Sequence, residues 1–203
     1  MCALAGLAVA SPLLLATEGQ QQPLVPALGR AAVASDLISE LKAAEIIPNV
    51  IDAFTPLLTL SIAWENATAE VGNTIDPSKM QDAPNAPSRD NPKWSEICHW
   101  IATGVHLTHP DDEPQLSGFH TEAVEVMPYK PPGPPPKTGK HRYVFVALAP
   151  KNGTTEKLSL SKPGDRQHWG YEEKGVGLKR WAGENGLEVI GANFVYAQNR
   201  KQS

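Results

Sequence analysis

Proline and glycine limit this chain before any other feature does. With 19 prolines and 16 glycines in 203 residues, backbone without N–H donors or with left-handed freedom recurs too often for a helical bundle, and a loop-rich fold built from strands is expected. The length allows one domain with a substantial core plus a tail, not two domains of ordinary size. Eighteen Lys and Arg against 22 Asp and Glu leave a net charge of −4, so nothing in the overall charge draws the chain to a nucleic acid backbone. The two cysteines, Cys2 and Cys98, cannot form a disulfide framework, and no Cys/His spacing indicates a structural zinc site.

Met1 to Thr17 is an apolar run broken by Ser11 and Pro12, too short and interrupted to span a bilayer. Ala8-Val9-Ala10 before Ser11 has the small-residue pattern of a signal-peptide cleavage site, but no Lys or Arg stands near the start. The segment fits a leader directing the protein to the secretory pathway as well as it fits a disordered apolar tail on a cytoplasmic protein. Residues 1–34 are therefore set apart from a domain at 35–203.

From Ser35 the pattern changes. Ser35 or Asp36 can cap a helix through Leu37, Ile38, Leu41 and Ala44, limited by Pro48. Leu58 to Trp64 then alternates apolar and polar residues as a half-buried strand does. Further strands are expected at Ile97 to Thr103, Ala123 to Met127, Tyr143 to Leu148 and Leu187 to Tyr196, with a short helix at Val176 to Ala182 ending at Gly186. Strands joined by irregular turns, without long alternating helices, predict a mostly β chain arranged as an antiparallel sandwich.

Two stretches stand out chemically. In Ala86-Pro87-Ser88-Arg89-Asp90-Asn91-Pro92-Lys93-Trp94-Ser95-Glu96-Ile97-Cys98-His99-Trp100, the period of two puts Glu96, Cys98 and Trp100 on one face and Ile97 and His99 on the other. Cys98 and His99 then point apart and cannot form a nucleophile–base pair. A hydrolytic pairing of His99 with Glu96 fails for the same reason. On these residues alone, His99 is most simply a satisfied core histidine. In Tyr129-Lys130-Pro131-Pro132-Gly133-Pro134-Pro135-Pro136-Lys137-Thr138-Gly139-Lys140-His141-Arg142-Tyr143-Val144-Phe145, a stiff proline loop leaves few backbone donors, and those at Gly133 and Lys137 to Lys140 could face a ligand. A rigid crossover or a polyproline segment for a partner domain is the alternative.

Taken together, in this order and at this separation, the two stretches resemble the phosphatidylethanolamine-binding protein family, and within it the fungal carboxypeptidase Y inhibitor type. The likeness extends through Ile47-Pro48-Asn49-Val50-Ile51, Gly72-Asn73-Thr74, His168-Trp169-Gly170-Tyr171 and Asn193-Phe194-Val195-Tyr196. The resemblance implies a β-sandwich with a small anion pocket at one end. By position, His99, His141 and Tyr143 would line it, Pro87, Gly133 and Pro134 would shape its walls, and Glu96 would lie nearby. Imidazoles, a phenol and loop N–H groups can hydrogen-bond a phosphate or an anionic phospholipid headgroup, and charge strengthens such bonds.

Family members carry an Asp-Pro-Asp ahead of the Ala-Pro-Ser-Arg, whereas Ala86 here follows Gln81-Asp82-Ala83-Pro84-Asn85. Relative to the family pattern, a piece on the order of twenty residues, enough for a strand with its connections, is absent between Asn85 and Ala86. A central strand and both aspartates would be missing. Elsewhere, His106-Leu107-Thr108-His109-Pro110-Asp111-Asp112-Glu113 reads as a solvated loop rather than a metal site. No dinucleotide, GxSxG, HExxH or Walker pattern occurs. The expectation is a non-enzymatic, monomeric binding protein without cofactor. It would hold a headgroup or phosphate and inhibit a serine carboxypeptidase; a signalling scaffold that binds the same ligand without inhibition, or a non-functional truncated product, are the competing readings.

Overall fold

The computed structural model describes the backbone of residues 6–9 and 27–33 and, in full, residues 34–64, 66–80, 96–104, 124–154 and 156–201. Its centre is a long antiparallel ladder. Strands β7 (Lys140–Pro150) and β8 (Leu187–Gln198) pair from Lys140↔Gln198 to Pro150↔Leu187. The register shifts after Ala147, so that Ile190 has no opposite residue and its carbonyl instead accepts the Leu57 N–H at 2.8 Å. Around the ladder stand β1 (Gly6–Val9), β4 (Thr74–Ile75), β5 (Ile101–Thr103) and β6 (Val124–Met127), in the order β4-β8-β7-β1-β5-β6.

The expected antiparallel sandwich is corrected in one respect: the sheet is mixed. β7–β8 and β5–β6 are antiparallel, while β1 runs parallel to both β7 and β5, and β4 parallel to β8. Apolar alternation identifies a strand but carries no information on its neighbour's direction. The parallel partners are distant in sequence, so no tight hairpin imposes the antiparallel sense.

β7 is buried along nearly its whole length, so both sheet faces are covered. Val144, Val146 and Leu148 pack with Leu41, Ile46 and Trp181 on the helical side. Tyr143 and Phe145 pack with Ile75, Met80 and Val195 on the other, under an antiparallel hairpin of β2 (Ile62–Trp64) and β3 (Ala67–Ala69) whose Trp64 ring meets Phe145 edge-on at 5.7 Å.

The first helix, α1, spans Ala27–Ala43 and so begins ahead of the expected cap. Ser35 lies inside it, its carbonyl accepting the Ser39 hydroxyl at 2.9 Å, a back-bond a helix interior tolerates. Helix α2 (Gly177–Glu184) turns Leu178 and Trp181 inward and ends as expected, with Gly186 at φ +65°. Gly177 is required at its start, because a Cβ there would come within 2.1 Å of the buried Trp169 ring.

Candidate functional site

The site grows from one extended strip, residues 96–100. The Cys98 N–H donates to Arg166 O and the His168 N–H to Glu96 O, both at 2.8 Å, and Ile97 bridges antiparallel to Gln167. Extended geometry sends successive side chains to opposite sides, as the sequence requires. Cys98 enters the helical-side core, and Ile97 enters the core around Tyr143.

On the pocket side, His99 is 4% exposed. Its ring meets Tyr143 edge-on, with centroids 5.6 Å apart. Its Nδ1 lies 2.5 Å from Lys130 O, and its own carbonyl accepts the Lys130 N–H at 2.7 Å. A carbonyl only accepts, so Nδ1 carries the proton, and in the neutral ring Nε2 presents a lone pair. That Nε2 is buried with no hydrogen-bond partner among the described residues. Burial holds the imidazole down at about 4, so the neutral form prevails at physiological pH.

His141 follows the same logic at the start of β7. Thr138 Oγ1 donates its single proton to Pro135 O at 2.8 Å, so the 2.6 Å contact with His141 requires the ring's Nε2–H to donate. Burial lowers His141 to about 4 as well. One proline-rich loop, residues 128–139, thus holds both histidines: Lys130 fixes His99, and Thr138 fixes His141. Pro134 is buried in this loop, its carbonyl accepting from Asn199 Nδ2 at 3.0 Å, and Gly133 beside it is half-buried. His141 and Tyr143, two apart on β7, share a face.

Glu96 is not brought to these residues. It faces α2, 2% exposed, and Oε2 accepts the Leu178 N–H at 3.0 Å while Oε1 has no partner among the described residues. Burial raises its carboxyl to about 7, against the opposing pull of the Leu178 N–H and of Lys179 and Arg142. Burial also pushes the Cys98 thiol up to about 12, far from a reactive thiolate. Pro87 and the 106–113 loop lie outside the described residues. Among the described residues no group of three His, Cys, Asp or Glu could hold a metal ion, and no helix is long and apolar enough to cross a membrane. An open cavity of about 420 Å³ lies elsewhere, between the 51–57 loop, α2 and β8.

Sequence reasoning missed Arg166. Its guanidinium donates to the carbonyls of Cys98 (3.2 Å), His99 (3.0 Å) and Pro128 (2.9 Å), tying the strip to the proline loop. A side chain that binds backbone carbonyls leaves no residue-type pattern, so no signal in the sequence marks it.

A profile described as phosphatidylethanolamine-binding protein matches residues 55–195, which includes His99, the loop, His141 and Tyr143. The chain belongs to the phosphatidylethanolamine-binding protein family. It is 32% identical over 155 residues to the carboxypeptidase Y inhibitor of Saccharomyces cerevisiae, covering 72% of this chain and 70% of that one. Among solved structures it is similar to a carboxypeptidase Y inhibitor complexed with its cognate proteinase (TM-score 0.64, 29% identity, 82% of this chain and 97% of that one). The fold is shared with the family member from Plasmodium vivax (TM-score 0.60, 19% identity, 80% of this chain and 97% of that one). For this family member the mostly β architecture with two helices stands, and the two solved relatives are by name an inhibitor and a phosphatidylethanolamine-binding protein.

Proposed function

We propose that the protein holds an anionic group, a phospholipid headgroup or free phosphate, against His99, Tyr143 and His141, and inhibits a serine carboxypeptidase. The observation that carries the ligand half is the single loop that bonds both histidines and fixes the tautomer of each. The inhibitory half is supported by the likeness to the yeast carboxypeptidase Y inhibitor and to its proteinase complex.

The tautomers define how the pocket works. At neutral pH each imidazole has committed its N–H to the loop and offers a lone pair at its other nitrogen. A fully ionised anion meets no donor on either ring, although the Tyr143 hydroxyl can donate to it. Engaging the rings therefore takes a proton, either on the ring, where the anion then stabilises the imidazolium, or on the ligand, whose O–H donates to the lone pair. Affinity for inorganic phosphate rises as pH falls from about 7.5 towards 5, by up to tenfold per pH unit for each proton taken up. Glu96 and Cys98, behind the strip, take no part in the pocket.

Calorimetric titration of the full chain with inorganic phosphate at pH 5.5 and 7.5, in two buffers of different ionisation enthalpy, reads both affinity and proton uptake. Vesicles with and without phosphatidylethanolamine separate headgroup from free phosphate. Equal affinity at the two pH values, without proton uptake, removes the proton-coupled pocket. An assay of a carboxypeptidase Y-type enzyme with micromolar protein tests the other half. Phosphate binding without inhibition leaves the scaffold reading.

A further inference from the structure

We propose that the surface where Lys79, Lys137, Lys140, Arg200 and Lys201 meet around Asp76 docks the protein on an anionic lipid bilayer. Hydrogen bonds bring these groups together from three separate stretches of chain. Lys140 opens β7 opposite Gln198, and its Nζ donates to Thr74 Oγ1 at 3.2 Å. Thr74 pairs with Tyr196, whose ring centre lies 6.0 Å from the same Nζ. The Lys79 N–H donates to Asp76 O at 2.9 Å, and Arg200 Nε meets Asp76 Oδ2 at 2.6 Å. The Lys137 N–H donates to Lys201 O at 3.0 Å, and Asn199 Nδ2 donates to Pro134 O at the same distance, which fastens the tail to the proline loop.

All five cations are exposed. Asp76 neutralises Arg200, and among the described residues no carboxylate stands within ion-pair distance of the four lysines. Five cations and one carboxylate carry +4 on a chain whose total is −4, which leaves −8 on the rest. A negatively charged surface therefore attracts this patch and repels the remainder, which orients the protein on it. The residue types favour a bilayer over a folded acidic partner. Recognition of a carboxylate or phosphate in a shaped protein groove draws on the bidentate fork of Arg, and the one guanidinium here is already committed to Asp76. The other four cations are lysines, compact charges on flexible stems that suit the diffuse negative potential of a lipid surface. The patch uses neither histidine and does not rest on the pocket.

Sedimentation of the full chain with vesicles of phosphatidylcholine, alone or with about a quarter phosphatidylserine, tests this. Binding is expected to the anionic vesicles alone and to be lost as salt rises from about 0.1 to 0.5 M, because the screening length shortens. Lys79→Gln combined with Lys201→Gln is expected to weaken binding about 25-fold, or about fivefold per lysine. Lys42→Gln combined with Lys157→Gln removes the same charge beside Leu41 and Leu158 on the helical side. That pair is expected to leave binding within about twofold of wild type. Equal binding to both kinds of vesicle, or equal affinities for the two paired variants, overturns the proposal. Binding to soluble polyglutamate with none to vesicles also overturns it and assigns the patch to an acidic protein.

Discussion

The two sides of the 96–100 strip bury polar groups to opposite ends. Towards α2, Glu96 spends one carboxylate oxygen on the Leu178 N–H and leaves the other buried without a partner among the described residues. Towards the pocket, His99 spends one nitrogen on Lys130 and leaves the other buried without a partner among the described residues, beside Tyr143. Each side thus buries one polar atom unpaired among the described residues, and they differ in what the paired atom does: Glu96 caps the start of α2, whereas His99 is anchored to the proline loop. A buried polar atom without a partner carries a penalty of about 1–3 kcal/mol, which a ligand able to pair with it would relieve. Comparing the two sides separates a group tied to a helix from a group tied to the loop that also holds His141.

The largest expected effect breaks the helical side alone. Trp181 is 1% exposed, stacks at 5.5 Å from Trp169, and donates its indole N–H to Ser161 O at 2.8 Å. Trp181→Ala is expected to cost about 3–5 kcal/mol, a large part of the ~5–15 kcal/mol typical of a domain. Urea unfolding followed by circular dichroism measures it. A loss under about 1 kcal/mol would mean that α2 does not seal the core.

A smaller effect uses pH to weigh the sides against each other. Glu96 is raised from 4.5 to about 7, so the folded chain holds its proton more tightly; that stability is fully present below pH 4.5 and is lost as pH rises through 7. His99 and His141 are lowered from 6.5 to about 4, so their contribution is present above pH 6.5 and is lost as pH falls through 4. Two histidines outweigh one carboxyl between pH 4.5 and 6.5, so stability is expected to rise to a plateau near pH 7. Glu96→Gln removes the carboxyl's opposing loss and is expected to steepen that rise, a gain on the order of 1–3 kcal/mol over wild type by pH 8. Thermal melts of both proteins from pH 4 to 8 check this, and parallel curves would assign the pH dependence in this range to other groups.

The sequence made local structure legible where period and punctuation agreed. The alternation at 96–100 separated Cys98 from His99, Gly186 marked the end of α2, and the apolar runs at Tyr143 and Leu187 marked the two long strands, though each extends beyond the run. Parallel pairing was not legible, since it depends on which distant segment reaches an edge. The strand at Gly6–Val9 was hidden inside an apolar stretch whose composition suits a leader equally well. For the candidate site, the family resemblance rather than residue type singled out His99, His141 and Tyr143, while Arg166 and the tautomers were invisible because they depend on backbone carbonyls brought together only in three dimensions.

The smallest expected change in stability comes from the pocket side and sharpens the contrast. His141→Gln keeps an N–H donor for Thr138 but loses the ring's second nitrogen, which in the wild type can take up a proton. Stability is expected to fall by about 1 kcal/mol or less, the net worth of a neutral hydrogen bond. Phosphate affinity at pH 5.5 is expected to fall tenfold or more, the loss of about one charge-assisted bond. The proton uptake that accompanies binding should drop as well, because one titrating ring is gone. Trp181→Ala does the reverse, lowering stability strongly while any protein that remains folded keeps its phosphate affinity. If His141→Gln instead destabilises the chain as severely as Trp181→Ala and leaves phosphate affinity intact, the two sides are not different in kind, and His141 is a packing residue like those around α2.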